Sequence, residues 1–135
     1  MTGPQSPAPV PVAAPAAAAA PASDPDCIFC KIVAGKIPSK KVFEDDQLLA
    51  FHDIHPWAPV HVLIIPKQHI ATLSDTGPEH QALLGRMLGL APQLMAELGV
   101  SNGFRTLINT GPDGRQEVYH LHMHVMGGPR PWVKG

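Results

Sequence analysis

His120, His122 and His124 alternate with Leu121, Met123 and Val125 near the end of a 135-residue chain. On a strand, alternate side chains share a face, so the three apolar residues enter a core while three imidazoles line the other side, neighbours about 6–7 Å apart. Histidines in such a row can share a metal, do acid–base and nucleophilic work, or form a plain polar face. Strict alternation of three, with apolar residues between them, favours chemistry over the plain face. Imidazoles this close repel one another when protonated, which keeps some of them neutral near pH 7. A neutral imidazole can attack phosphorus, and its neighbours can donate to phosphate oxygens or pass a proton to a leaving group.

The two cysteines lie far upstream, as Cys27-Ile-Phe-Cys30. They can be a redox pair, half of a zinc site or plain buried residues. A thioredoxin-like pair would follow a strand and open a long helix in a βαβ unit, which this sequence lacks, and a zinc site needs two further ligands. His80, at the start of a helix, and His52 and His55, flanking Asp53, are read as surface or structural groups.

Hydrophobic periodicity defines the elements that must carry these residues. Cys27 to Gly35 reads as a short helical turn closed by a glycine C-cap. Lys41 to Glu44 and Leu48 to Ile54 are β-rich runs around the turn Asp45-Asp46-Gln47, a hairpin, and His61 to Ile65 is a third strand ended by Pro66. Apolar residues from Leu83 to Leu98 recur at helical spacing, which predicts one long helix between Pro78 and Leu98, with Gly99 past its end and a kink at Pro92. Phe104 to Asn109 and Val118 to Met126 are the last strands, joined through Gly111-Pro-Asp-Gly114. The prediction is an α+β domain: a mainly antiparallel five-stranded sheet, one long helix and a short N-terminal helix.

Residues 1–25 are Pro- and Ala-rich with no Lys or Arg, and prolines interrupt any apolar run. This predicts a disordered tail with polyproline character, not a secretory signal, ahead of a folded domain at 26–135. A formal net charge of -1 leaves no basic excess for a nucleic-acid backbone, and no run of about 18 apolar residues offers a membrane span.

The run His120-Leu-His-Met-His-Val125 followed by Met126-Gly-Gly128 resembles the histidine-triad family, specifically its Hint branch of purine nucleoside phosphoramidases. The likeness continues through Phe43 to Asp46, Leu49 to Ile54, Ala58 to His61, Ile65 to His69, Ile108-Asn109, Gln116 to His120 and Trp132, and so spans residues 26–135. It implies a HIT-like fold in which His122 attacks the α-phosphorus of a nucleoside phosphoramidate or related adenylate, giving a nucleotidyl-histidine that water cleaves. By the same resemblance His124 hydrogen-bonds a phosphate oxygen and assists the leaving group, and Asp53 accepts from the ribose hydroxyls. Ile28, Phe29, Ile32, Phe51 and Ile54 would wall the purine, Asn109 and Gln116 would contact phosphate, and His61 would lie near the same site. Members carrying the cysteine pair are similar to nucleotidyl-transferring cousins whose zinc ligands fall here on Cys27, Cys30, His69 and His120. Zinc there is structural and not required for the chemistry, so His120 leans toward metal although it belongs to the catalytic row.

The sequence departs from that branch at Arg115-Gln116-Glu117, where many members have Gly-Gln-Ser. The serine that helps the leaving nitrogen is absent. Glu117 can stand in as proton donor or as acceptor for a cationic amine, with Arg115 offsetting its charge, which counts both among the nucleotide-contacting residues. The resemblance further implies a homodimer built on the long helix and a sheet continuous across two chains, the segment with Trp132 reaching the partner's site. Reduced thiols, the missing signal peptide and a nucleotide substrate predict a cytoplasmic protein. Three functions compete: phosphoramidase or acyl-adenylate hydrolase; dinucleoside polyphosphate hydrolase or nucleotidyl transferase; and a non-catalytic nucleotide or metal sensor. Gly127-Gly128 and the short tail favour the first.

Overall fold

The computed structural model describes residues 23–134, so the tail expected at 1–25 falls outside the described residues up to position 22. Cys27 opens α1 (Ile28–Val33), its Sγ accepting from the N–H of Cys30 at 3.2 Å. The helix ends at Gly35, whose φ of +78° lets the N–H groups of Gly35 and Lys36 return to the carbonyls of Ile32 and Lys31. Six residues cannot hold a helix in water, so α1 depends on its buried face, Phe29, Cys30 and Ile32.

Among the described residues five strands form the sheet: β1 (Lys41–Glu44), β2 (Leu48–His52), β3 (Val60–Pro66), β4 (Phe104–Leu107) and β5 (Met123–Gly127). All pairings are antiparallel and the spatial order is β1-β2-β3-β5-β4, as the α+β reading requires. Alternation along the central strands sends residues to two different layers. Leu48, Ala50, Val62, Ile64, Met123 and Val125 pack beneath α2 (Gln81–Glu97), against Met87, Leu90, Ala91, Leu94 and Met95. Leu49, Phe51, Leu63 and Ile65 face the other way, against α1. Each such side chain contributes about 1.5–3 kcal/mol by leaving water, and the α2 layer holds most of them.

α2 runs through Pro92 as a single helix. Pro92 lies on the exposed side, where water can serve the Leu88 carbonyl that loses its donor. The predicted strands 48–54 and 104–109 are each trimmed by two residues. The larger correction is at Val118 to Met126, where pairing starts only at Met123. The ladder aligns Met123 with Ile64, so its extension would run out at Pro66, which has no N–H and whose carbonyl accepts from His120 Nε2 at 2.8 Å. Only His124 of the three histidines is therefore in the strand, yet Leu121, Met123 and Val125 all reach the α2 core, as alternation predicts. Among the described residues no helix is long and apolar enough to cross a membrane.

Candidate active site

The α1 face of the sheet leaves an open cleft of about 1100 Å³. Ile28, Phe29 and Ile32 of α1 line it, with Phe51, Asp53 and Ile54 from the end of β2 and the turn beyond. Asp53 is set by that turn: its N–H donates to the His61 carbonyl and its Oδ1 accepts from the His55 N–H at 2.8 Å. Asn109, Arg115 and Glu117 enter from the loop after β4, and His122 and His124 form the floor. Gln116 does not join them. Its Oε1 accepts from the Gly111 N–H, and its Nε2 donates to the carbonyls of Ala71 and Val118, so its polar atoms brace the loop and the expected phosphate contact is corrected to a structural one. His61 also lies outside the lining, buried behind His124.

Backbone partners decide which nitrogen of each imidazole carries the proton. A carbonyl only accepts, so His122 Nδ1, 2.7 Å from the His120 carbonyl, is the N–H, and Nε2 keeps the lone pair. A backbone amide only donates, so the Trp57 N–H at 3.0 Å makes His61 Nδ1 an acceptor and His61 Nε2 the N–H. That hydrogen points to His124 Nδ1 at 2.9 Å, with Asp53 Oδ2 at 3.5 Å. His124 Nε2 is then the remaining N–H. The cleft thus has a bare nitrogen on His122 beside a donor on His124, the ring centroids 5.1 Å apart. Burial holds His122 below the ordinary imidazole range, against the pull of its backbone bond and of Asp53 and Glu117. Burial, then the neighbouring His122 and His61, bring His124 down to about 4. Both are neutral at pH 7. Asp53, His61 and His124 do lie close enough to hold a metal. The Trp57 amide argues against it, because a metal on His61 Nε2 would force the proton onto Nδ1 and set two N–H groups against each other.

The second cluster has the opposite pattern. His120 Nε2 donates to the Pro66 carbonyl, which leaves Nδ1 as a lone pair 3.3 Å from Cys27 Sγ, 3.5 Å from Cys30 Sγ and 3.3 Å from His69 Nδ1. Cys30 Sγ also lies 3.3 Å from His69 Nδ1. All four ligand atoms fall within 4.8 Å of one another. Zinc–nitrogen and zinc–sulfur bonds of about 2.0–2.3 Å in a tetrahedron require ligands roughly 3.3–3.8 Å apart, so the set fits that ion. His120 is fully buried and excluded from the cleft; desolvation first, then His69 and His122, push it down to about 4. Burial raises the Cys27 thiol.

Trp57 and Lys134 line the cleft and were not anticipated. Trp57 lies in the turn between Asp53 and His61, and a tryptophan between two such polar residues was the available signal. The indole stacks on His124 at 5.6 Å and 15°. Trp132 does not line its own chain's cleft; its Nε1 donates to the Gly128 carbonyl, and the Arg130 guanidinium lies 4.2 Å from its ring. Arg115 adopts φ +62°, a conformation disfavoured for a residue with a Cβ.

The HIT domain family model matches residues 34–130. HitA of Neisseria gonorrhoeae is 52% identical over 104 residues, covering 77% of this chain and 97% of its own. The purine nucleoside phosphoramidase of Escherichia coli is 46% identical over 104 residues, 76% of this chain and 87% of that protein. Among solved structures, a HIT family hydrolase from Legionella pneumophila superposes with TM-score 0.75 at 48% identity, covering 78% of this chain and 95% of that one. A histidine triad protein from Clostridium difficile superposes with TM-score 0.77 at 43% identity, over 81% and 96% of the two chains.

Proposed function

This chain belongs to the HIT domain family, and from that premise we propose that it hydrolyses purine nucleoside phosphoramidates or acyl-adenylates through a nucleotidyl-His122 intermediate. The observation that carries the reading is the pairing of a bare His122 nitrogen with a His124 N–H in one cleft. Phe29, Phe51, Ile28 and Ile32 offer a flat apolar wall for a base, and Asp53 a two-oxygen acceptor for ribose hydroxyls. His122 Nε2 forms a bond to phosphorus as the P–N or P–O bond to the leaving group breaks, and the His120 carbonyl steadies the imidazolium that results. Neutral His124 serves as a hydrogen-bond donor to phosphate oxygen, since giving up that proton would leave an imidazolate. The departing nitrogen instead takes its proton from solvent by way of Glu117 at the rim. Water then attacks phosphorus, releasing the nucleotide and restoring His122.

Comparing turnover of adenosine 5′-phosphoramidate with that of a diadenosine polyphosphate tests the reading. Faster hydrolysis of the phosphoramidate is expected; the reverse order would favour a dinucleoside polyphosphate hydrolase.

Zinc held by Cys27, Cys30, His69 and His120 belongs to the same proposal. It would tie α1, which carries Phe29, to the residue whose carbonyl orients His122. A homodimer is also proposed: β4 is an edge strand of the described sheet, and Phe104 on it and Leu88 on α2 are exposed. Free cysteines and a nucleotide substrate support a cytoplasmic setting.

A further inference from the structure

The cleft has two aromatic walls, and the nucleoside needs only one. Phe29 stands edge-on to His122 with centroids 5.1 Å apart, His124 lies 5.1 Å from His122, and Trp57 stacks on His124 at 5.6 Å. The four rings form a row, with the reacting pair between Phe29 at one end and Trp57 at the other. Over the Trp57 ring lies the Lys134 ammonium, 5.3 Å from the centroid. The C-terminal segment that carries Lys134 is anchored, the Val133 N–H donating to the Trp57 carbonyl at 2.7 Å. Among the described residues Lys134 makes no ion pair, so its charge is open to an incoming anion.

We propose that Trp57 and Lys134 form the subsite for the departing half of the substrate, and that it selects a flat apolar leaving group bearing an anionic substituent. The inference rests on the phosphoramidase reading. A substrate whose base lies on Phe29 and whose phosphorus meets His122 has room for its remaining part on the far side of His124, where the indole lines the cleft. A flat ring can take the place of the ammonium over the indole, and the flexible Lys134 side chain so displaced attracts a carboxylate on that ring. Trp57 acts here by binding; it donates no proton to the reaction.

The test is a set of adenosine phosphoramidates that differ only in the amine: ammonia, benzylamine and 4-carboxybenzylamine. kcat/KM is measured for the unaltered protein and for Trp57→Ala, Trp57→Phe and Lys134→Met. The expected order for the unaltered protein is 4-carboxybenzylamine, benzylamine, ammonia. Trp57→Ala should reduce the benzylamine-to-ammonia ratio about tenfold and Trp57→Phe should restore most of it, which a general disturbance of His124 would not do. Lys134→Met should reduce the 4-carboxybenzylamine-to-benzylamine ratio about threefold. Ratios unmoved by Trp57→Ala and Lys134→Met overturn the subsite while the phosphoramidase reading stands. Absence of turnover with all three compounds overturns both.

Discussion

Two groups of imidazoles lie side by side in this molecule, and they are wired in opposite senses. Around His120 the backbone takes the outer N–H, so the ring's lone pair turns inward to face two thiols and the His69 ring. Around His122 and His124 the hydrogen bonds run head to tail, Trp57 amide to His61 to His124, and a lone pair and an N–H are left facing the cleft. The first arrangement suits a cation. The second suits a phosphate, which needs a nucleophile on phosphorus and a donor on oxygen. Three histidines of one short run thus present different nitrogens to different surroundings, because His120 and His122 each meet a backbone carbonyl while His124 meets the His61 ring.

The largest effect is expected at His122. His122→Ala should lower kcat by on the order of 10⁴-fold or more in a phosphoramidate assay while metal content stays unchanged. Next comes the metal half: Cys30→Ser should abolish stoichiometric zinc in the purified protein, lower Tm and reduce kcat about 10–100-fold, as α1 and the His120 carbonyl lose their common tie. Stoichiometric zinc in Cys30→Ser would show that the four residues are not a ligand set. His61→Ala should sharpen the contrast, reducing kcat about tenfold or more with zinc retained, because His124 loses the partner that fixes its tautomer.

Acid acts on both halves. The folded-state pKa values of His61, His120, His122 and His124 all lie below the ordinary imidazole value near 6.5, mainly through burial. As pH falls below about 6.5 the unfolded chain binds protons that the folded chain refuses, so stability is lost progressively toward pH 4, the value for His120 and His124. Urea titrations of the metal-free protein at pH 7 and pH 5 should show a drop of a few kcal/mol. For the same reason the acid limb of kcat/KM should fall below pH 6.5. The smallest effect is expected at Arg115→Gly, where relief of the left-handed backbone should raise stability by about 1 kcal/mol in the same titrations.

Periodicity made most of the scaffold legible: the five strands and two α-helices of the described residues lie where alternation and helical spacing indicate, because each has a buried face. The strand beginning at Val118 was misread because alternation of side chains does not require a ladder. Leu121 still donates its N–H, to the Ile70 carbonyl, and still buries its side chain, without a strand partner. Most of the cleft lining was legible through the family's motif residues. Gln116 was misassigned because a polar residue beside a site can turn inward to brace its own loop as readily as it turns to a ligand. Trp57 and Lys134 escaped notice because they meet only in space, 77 positions apart in sequence, 134 less 57.

The division of labour among the histidines is tested most directly by trapping the intermediate. Purified protein is mixed with adenosine 5′-phosphoramidate, quenched within the first turnover, digested and read by mass. An adenylyl group is expected on the peptide bearing His122, lost in His122→Ala and retained in His61→Ala. Turnover with no adenylylated peptide, or with the group localised to His120 or His124, would contradict it.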